Sequence, residues 1–439
     1  MADVVKRFFV VGLCLLILGS FQVVLWIAYP KVGGLKHLKK SSGNDPALIQ
    51  GQKTILLYTS FFRFENWDLE EGNGAFQKLE CQVQDCFLTN DRSLFENISK
   101  FDSVLFHLGN LDEIDHEDFY AKRAPHQKFV MFYLETPFSL PSNFWDAKLK
   151  KFFNWTMTYR TDSDVFSPYG SVRPKQEILD PEALQRHFDP DKLPANLRMA
   201  AERPGLVLWF VSNCHSNSLR ETYVLELQKF IQVDIFGSCG RPGCQRGSDC
   251  DKDAFRKYKF YLSFENALCS DYVTEKLFSA LSKDIVPIVL GGADYAEIVP
   301  PHSVINAKEF PNPQDLADYL LELDDNPDKY LEYFWWKDSY LVSQFNNWKT
   351  GFCNLCKKLN EPTQTHQVIT NPVHWMYFQE QVEVCLRPDK IPWAALKIGS
   401  EEYFKGVVLL GSICFILLFG IVYALFRNDV KALLTGDKY

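Results

Sequence analysis

Positive charge is in short supply in this chain. Its 439 residues carry 47 Lys and Arg against 55 Asp and Glu, for a net charge of −8. That balance argues against a general nucleic-acid binder and leaves room for a local basic pocket. There is no repeat of fixed short period and no low-complexity tract, which sets aside repeat architectures and biased linkers. Apolar residues, by contrast, are plentiful: 46% hydrophobic and 15% aromatic content excludes a mainly disordered chain. At this length two domains of ordinary size, each with its own core, are expected rather than one.

Long uncharged runs occur only near the two ends. Residues 8–29, FFVVGLCLLILGSFQVVLWIAY, follow Lys6 and Arg7 and are long enough to cross a bilayer as a helix. The alternative is a cleavable signal ending near Gly19-Ser20. Residues 406–426, GVVLLGSICFILLFGIVYALF, are also of spanning length and precede Arg427 and Lys431; a buried C-terminal helix is the alternative there. Lys31, Lys36, Lys39 and Lys40 follow the first run and make its charge bias ambiguous. Two N-glycosylation sequons, Asn97-Ile98-Ser99 and Asn154-Trp155-Thr156, and ten cysteines lie between the runs and favour a lumenal middle. The expected order is a cytoplasmic tail (1–7), a membrane span (8–29), a stem (30–50), a lumenal body to residue 405, a second span (406–426) and a second cytoplasmic tail (427–439).

Within the body, short β-rich apolar runs recur at 53–60, 102–108 and 128–135. From residue 205 the pattern restarts as strand, helix, strand: GLVLWFVSN, SLRETYVLELQKFIQ, VDIFGSCG. It repeats as FYLSFEN (260–266), SDYVTEKLFSALS (270–282) and DIVPIVLGG (284–292). Alternating strands and helices imply parallel sheets, hence an α/β fold with two Rossmann-like domains facing a cleft, at 51–180 and 200–335. Residues 171–200 read as the connection, and the stretch from Trp335 to 405 is expected to pack back on the first domain.

SDYVTEKLF spaces Tyr272, Glu275 and Lys276 at i, i+3 and i+4 directly after a buried strand. With Ser270 or Asp271 as N-cap, all three fall in the first turns of a helix that faces the cleft. A helix terminus plus an ammonium favours an anion, and a diphosphate is the natural one. The spacing alone is equally that of a solvated Glu/Lys face with a packed Tyr.

The longer run KFYLSFENALCSDYVTEKLFSALSKDIVPIVLGG closely resembles the donor-binding signature of the α1,3-fucosyltransferases, which use GDP-fucose. FYLETPFS, NWTMTYRTDSDVFSPYG and WFVSNCHSNSLRETY agree with that family in order, so the resemblance covers residues 53–357. It implies a GT-B arrangement in a Golgi membrane protein with a lumenal catalytic region. The donor is GDP-fucose, no cofactor is tightly bound, and the acceptor is an N-glycan or glycolipid carrying GlcNAc. Fucose would be transferred with inversion. Arg220 and Lys276 would neutralise the diphosphate, and Val211, Ser212, Asn213, Tyr261, Asn266, Tyr272 and Glu275 would shape the nucleotide-sugar pocket. Tyr169 would reach the same cleft, and Glu135 would be the general base. Asp162-Ser163-Asp164 has the D-x-D spacing of metal-binding glycosyltransferases, but in this family it belongs to the central motif without a required metal ligand, so no metal site is assigned and a stimulatory Mn²⁺ stays open.

The same resemblance implies bridges Cys81–Cys353 and Cys86–Cys356, with a four-cysteine zinc site as the alternative; the pairing of the other six lumenal cysteines is open. Three features depart from the family. Cys214 in SNC is closer to core-type members, His107 stands alone where Lewis-type members carry paired histidines, and a second span is unusual. They leave antennal and core GlcNAc both open as acceptors. Two rivals of other classes are a catalytically silent glycan-binding or scaffold protein of the same fold and a two-span receptor. The first would have lost Glu135, Arg220 or Lys276, and the second lacks a signalling tail.

Overall fold

The computed structural model describes residue 49 and residues 51–62, 64–114, 123–145, 149–244, 247–343, 347–362 and 367–393. Both expected spans (8–29 and 406–426), both tails and nearly all of the stem lie outside them. Among the described residues no helix is long and apolar enough to cross a membrane.

The apolar runs form two parallel sheets. The first contains β1 (Lys53–Leu57), β2 (Cys86–Thr89), β3 (Ser103–His107), β4 (Lys128–Tyr133), β5 (Trp155–Thr158) and β6 (Val165–Phe166), in the order β2-β1-β3-β4-β5-β6. Successive strand residues point to opposite faces, and here both faces are covered, so the strands read as continuous apolar runs. Ile55, Leu57, Val130 and Phe132 meet Phe352, Leu355 and Leu359 of the helix Thr350–Leu359 on one face. Leu56, Phe129 and Met131 meet Phe144, Phe152 and Phe153 on the other.

The chain leaves this sheet through β7 (Ser171–Pro174) and builds the second from β8 (Gly205–Phe210), β9 (Val233–Phe236), β10 (Tyr258–Phe264), β11 (Val286–Leu290) and β12 (Ile305–Asn306), in the order β12-β11-β10-β8-β9. Strand β13 (Tyr340–Ser343) returns to pair antiparallel with β7. Helices α1 (Arg220–Leu227), α2 (Asp249–Lys257), α3 (Glu275–Leu281) and α4 (Pro313–Asp325) cover the second sheet. α1 and α4 share a core with Val207, Phe260, Leu262 and Ile288, and α2 packs on the opposite face with Leu208 and Tyr261. Because β9 and β10 flank β8 on opposite sides, the strand order reverses between β8 and β10. In such sheets the carboxyl ends of those strands open the ligand crevice.

Several expectations are corrected. The helix expected from Ser270 or Asp271 begins at Glu275 with Thr274 as N-cap, because Asp271 sits at φ 61° and breaks the helical path. Trp335 and Trp336 pack with Val273, Leu277 and Phe278 beside the second sheet rather than on the first. Ile391 and Trp393 also join the second core, so of the C-terminal stretch the helix Thr350–Leu359 and residues around Met376 return to the first sheet. The Asn154 sequon is closed: its side chain is fully buried, Oδ1 accepts from the Phe129 N–H at 2.9 Å and from Arg123, and Nδ2 donates to the Gln367 carbonyl at 2.8 Å. A glycan on that nitrogen has no room in the folded chain. Asn97 is exposed. His107 is buried against Phe61 and Phe62, with Nδ1 2.9 Å from Asn110 Oδ1, and burial lowers its pKa; it is a packed strand residue.

All ten cysteines of the body are paired. Cys81–Cys353 and Cys86–Cys356 join as the resemblance implies, which removes the zinc alternative, and Cys214–Cys239, Cys244–Cys250 and Cys269–Cys385 complete the set. The first two close nearly the same loop, with sequence separations of 272 and 270. By loop-closure entropy either bridge alone recovers most of the effect: losing one costs about 2–3 kcal/mol, and losing both costs about 5 kcal/mol more. Guanidinium unfolding of Cys86→Ser/Cys356→Ser against the four-serine variant should therefore show a small first step and a larger second one; equal steps would contradict shared closure.

Candidate active site

A cavity of about 780 Å³ opens at the reversal point of the second sheet. Its walls come from the segment after β8 (Val211, Ser212, Asn213), the glycine-rich loop after β9 (Gly237, Ser238, Pro242, Gly243, Cys244, Ser248), Asn266 after β10, and Arg220, Glu275 and Lys276 at the starts of α1 and α3. The volume lies in the range of small-molecule sites. Gly237 has φ 96°, and a Cβ there would stand 2.5 Å from the Val211 carbonyl oxygen, so only glycine lets the loop approach the β8 end this closely. Cys214–Cys239 fastens the two loops to each other.

Two cations are built into this cavity. Arg220 is almost fully buried. Nη1 donates to the Phe264 carbonyl at 2.5 Å and Nη2 to the Asn213 carbonyl at 3.2 Å, while Nε has no partner among the described residues. Burial lowers its pKa, opposed first by Glu265. Lys276 donates to Thr274 Oγ1 at 2.7 Å and Glu265 Oε2 at 3.1 Å, and Glu275 Oε1 lies 3.6 Å away. Burial depresses the ammonium, but Glu265 and then Glu275 more than offset it, so its pKa stands above the ordinary lysine value. An arginine and a lysine side by side in a recess are suited to a diphosphate.

A second cluster joins the two sheets. Glu135 follows the end of β4, and its Oε2 accepts a 2.9 Å hydrogen bond from the Tyr272 phenol, which the turn before α3 holds in position. Tyr169 gives its single proton to the Leu134 carbonyl at 2.7 Å, with Glu135 Oε1 3.4 Å away. Both phenols are raised well above the usual tyrosine pKa, by burial first, and remain donors. Tyr159 packs edge-on against Tyr272 at 5.0 Å. Nearby, Asp271 Oδ2 accepts from the Thr161 N–H at 2.9 Å and hydroxyl at 2.7 Å, a further tie between the sheets.

Of the residues expected at the nucleotide-sugar pocket, Val211, Ser212, Asn213, Arg220, Asn266, Glu275 and Lys276 line the cavity. Tyr169 and Tyr272 stand at Glu135, off the wall of this cavity, with Tyr272 still close enough to act on Arg220. Tyr261 does not line the cavity: inside β10, it packs among Leu208, Phe255 and Ala280, with its phenol close enough to act on Arg220. Asp162 pairs with Arg160, its Oδ1 2.8 Å from Nε, and Asp164 accepts from the Thr156 N–H at 2.9 Å, so the D-x-D spacing here braces the end of β5. Sequence reasoning missed Glu265, Thr274 and the β9 loop. The available signals were a carboxylate at a strand end, an N-cap type before Glu275, and glycines just past a parallel strand. Gly237→Ala is expected to lower stability by about 1–3 kcal/mol through strain at positive φ and the clash with Val211, read as a fall in Tm; an unchanged Tm would show the loop free to relax.

Sequence comparison meets the same residues. The profile "Glycosyltransferase family 10 (fucosyltransferase) C-term" matches residues 200–375, and "Fucosyltransferase, N-terminal" matches residues 50–170. The chain is 36% identical over 349 residues to Alpha-(1,3)-fucosyltransferase C of Drosophila melanogaster, covering 75% of this chain and 78% of that one. It is 35% identical over 320 residues to Glycoprotein 3-alpha-L-fucosyltransferase A of the same organism, covering 71% and 57%. With 4-galactosyl-N-acetylglucosaminide 3-alpha-L-fucosyltransferase FUT6 of Homo sapiens it shares 36% identity over 287 residues, covering 64% and 72%. Two profiles spanning both sheets and relatives aligned over most of their length establish that the chain belongs to glycosyltransferase family 10, the fucosyltransferases.

Proposed function

We propose that the protein transfers L-fucose from GDP-β-L-fucose, with inversion, to a GlcNAc hydroxyl of a glycoprotein or glycolipid glycan, forming an α1,3 linkage. The observation that carries the reading is one continuous turn. Residues 272–276 hold Tyr272 on Glu135 at one end and Lys276 in the cavity at the other. The acceptor hydroxyl attacks the anomeric carbon from the face opposite GDP while its proton passes to Glu135. The electron pair of the breaking C1–O bond leaves on the β-phosphate oxygen, where Arg220 and Lys276 meet the developing charge. Glu275, Asn213 and Asn266 are polar and line the same cavity, which suits them to the neutral hydroxyls and ring of the donor.

Under this reading the two sheets are the two domains of a GT-B enzyme, with the acceptor on the Glu135 side. A Golgi lumen suits the body, since ten paired cysteines fit an oxidising compartment, and Asn97 is the exposed acceptor for an N-glycan. The runs 8–29 and 406–426 would anchor it in the membrane.

The test is incubation of the protein with GDP-fucose and a panel of antennal and chitobiose-core glycans, with linkage read by mass spectrometry. Fucose on the 3-hydroxyl of a GlcNAc supports the proposal; GDP binding without transfer to any acceptor would replace it with a glycan-binding scaffold. Within an active protein, Glu135→Gln should leave GDP-fucose affinity within about twofold and cut kcat by at least about 100-fold, whereas Lys276→Ala should lose both affinity and rate. Retained turnover in the first, or unchanged donor affinity in the second, removes the role assigned.

A further inference from the structure

We propose that Glu265 is the positioning residue of the donor site: a buried carboxylate that orients the Lys276 ammonium and serves as its counter-ion, directly after the Phe264 carbonyl that holds Arg220. The inference rests on the reading of the cavity as a diphosphate site.

Glu265 is the first residue after β10, and its side chain is 1% exposed. It does not line the cavity, so it acts through its neighbours. Oε1 accepts from the Thr274 N–H at 2.8 Å and lies 3.0 Å from the Thr274 hydroxyl; Oε2 accepts from Lys276 Nζ at 3.1 Å. Thr274 Oγ1 in turn accepts from Lys276 Nζ at 2.7 Å. An ammonium has three protons. With two directed at Glu265 and Thr274, Lys276 is fixed by its base, while the residue as a whole forms part of the cavity wall.

Charge gives the same assignment. A buried cation with no anion nearby is driven towards its neutral form, and two such cations together more so. The charged groups that act on Lys276 are Glu265, Glu275 and Arg220, the last of them repulsive, and Glu265 is also the foremost carboxylate acting on Arg220. Burial raises the Glu265 pKa, with Lys276 foremost in opposing it. The phenols of Tyr169, Tyr272 and Tyr295, on which Glu265 acts, are kept protonated by burial and carry no competing charge. Behind the carboxylate, a Cβ on Gly291 would come within 2.3 Å of Tyr295 Oη and 3.5 Å of Glu265 Cγ, so glycine at 291 keeps that wall clear. Glu265, from behind the wall, and Glu275, on it, keep the two cations charged while the recess is empty.

The test is the pH dependence of GDP affinity, by calorimetry between pH 7.5 and pH 9, for the parent protein and Glu265→Gln. The amide keeps the shape and removes the charge, so the foremost interaction that holds Lys276 charged is lost and its pKa falls relative to the parent, with Glu275 the carboxylate that remains beside it. Relative to the parent at each pH, the variant should lose about fivefold or more in affinity from the low end to the high end. Thr274→Val, which removes the hydroxyl linking Glu265 to Lys276, should move the same way and carries the test if Glu265→Gln does not fold; Thr274→Ser should restore the parent profile. A variant profile parallel to the parent's throughout would overturn the inference and leave the donor site standing. No GDP binding by the parent at any pH would overturn the donor reading and this inference with it.

Discussion

The site depends on keeping two positive charges in a recess that buries them before any anion arrives. Peptide carbonyls at Phe264 and Asn213 hold the Arg220 guanidinium, and the Glu265 carboxylate with the Thr274 hydroxyl holds the Lys276 ammonium. All of these groups lie at or just beyond the carboxyl ends of β8 and β10. That is where a parallel sheet with reversed strand order leaves a crevice and where the following helices begin. The fold therefore supplies the location, and the side chains supply the charge.

Chemistry across two sheets needs the second constraint, a fixed distance between Glu135 and that recess. Three kinds of contact supply it. Tyr272 donates to Glu135, and Asp271 accepts from Thr161. A C-terminal strap then reaches both sheets: Arg160 donates to the Trp375 carbonyl at 2.5 Å, Tyr377 donates to the Pro137 carbonyl at 3.0 Å, and Cys385 is bonded to Cys269. Ser270 N–H donates to the Val384 carbonyl at 2.8 Å, so the strap also pins the turn that carries Tyr272. Arg160, buried, divides its donors between the Asp162 carboxylate and the backbone carbonyls of Trp375 and Phe378, and so holds the strap against the end of β5.

Much of this was legible in the sequence. The apolar runs at 53–57, 103–107, 128–133, 205–210 and 286–290 are strands because both faces of each sheet are covered, which makes the runs continuous and easy to see. β2, β5, β6 and β12 are not read as strands from the sequence; they span two to four residues, and β9, equally short, was legible because it continues a strand-helix-strand pattern. Tyr261, three residues before the end of β10, is less easily read from sequence: it packs on the α2 face, off the cavity wall, with its phenol still close enough to act on Arg220. Tyr272 is expected in the donor pocket from the resemblance and on the cleft side of a helix from Ser270 or Asp271; the left-handed Asp271 precedes it, and its phenol meets Glu135. Glu265 was invisible for a different reason. A carboxylate beside Asn266 reads as a polar strand end, and only the tertiary return of Thr274 and Lys276 shows that it is buried and paired.

The most direct measurement of the central claim is a crystal structure of the protein with GDP bound. The diphosphate is expected in the cavity at the carboxyl ends of β8 and β10, within hydrogen-bonding distance of both Arg220 and Lys276, with Glu265 still paired to the ammonium. A diphosphate bound elsewhere, or bound without contact to either cation, would contradict it.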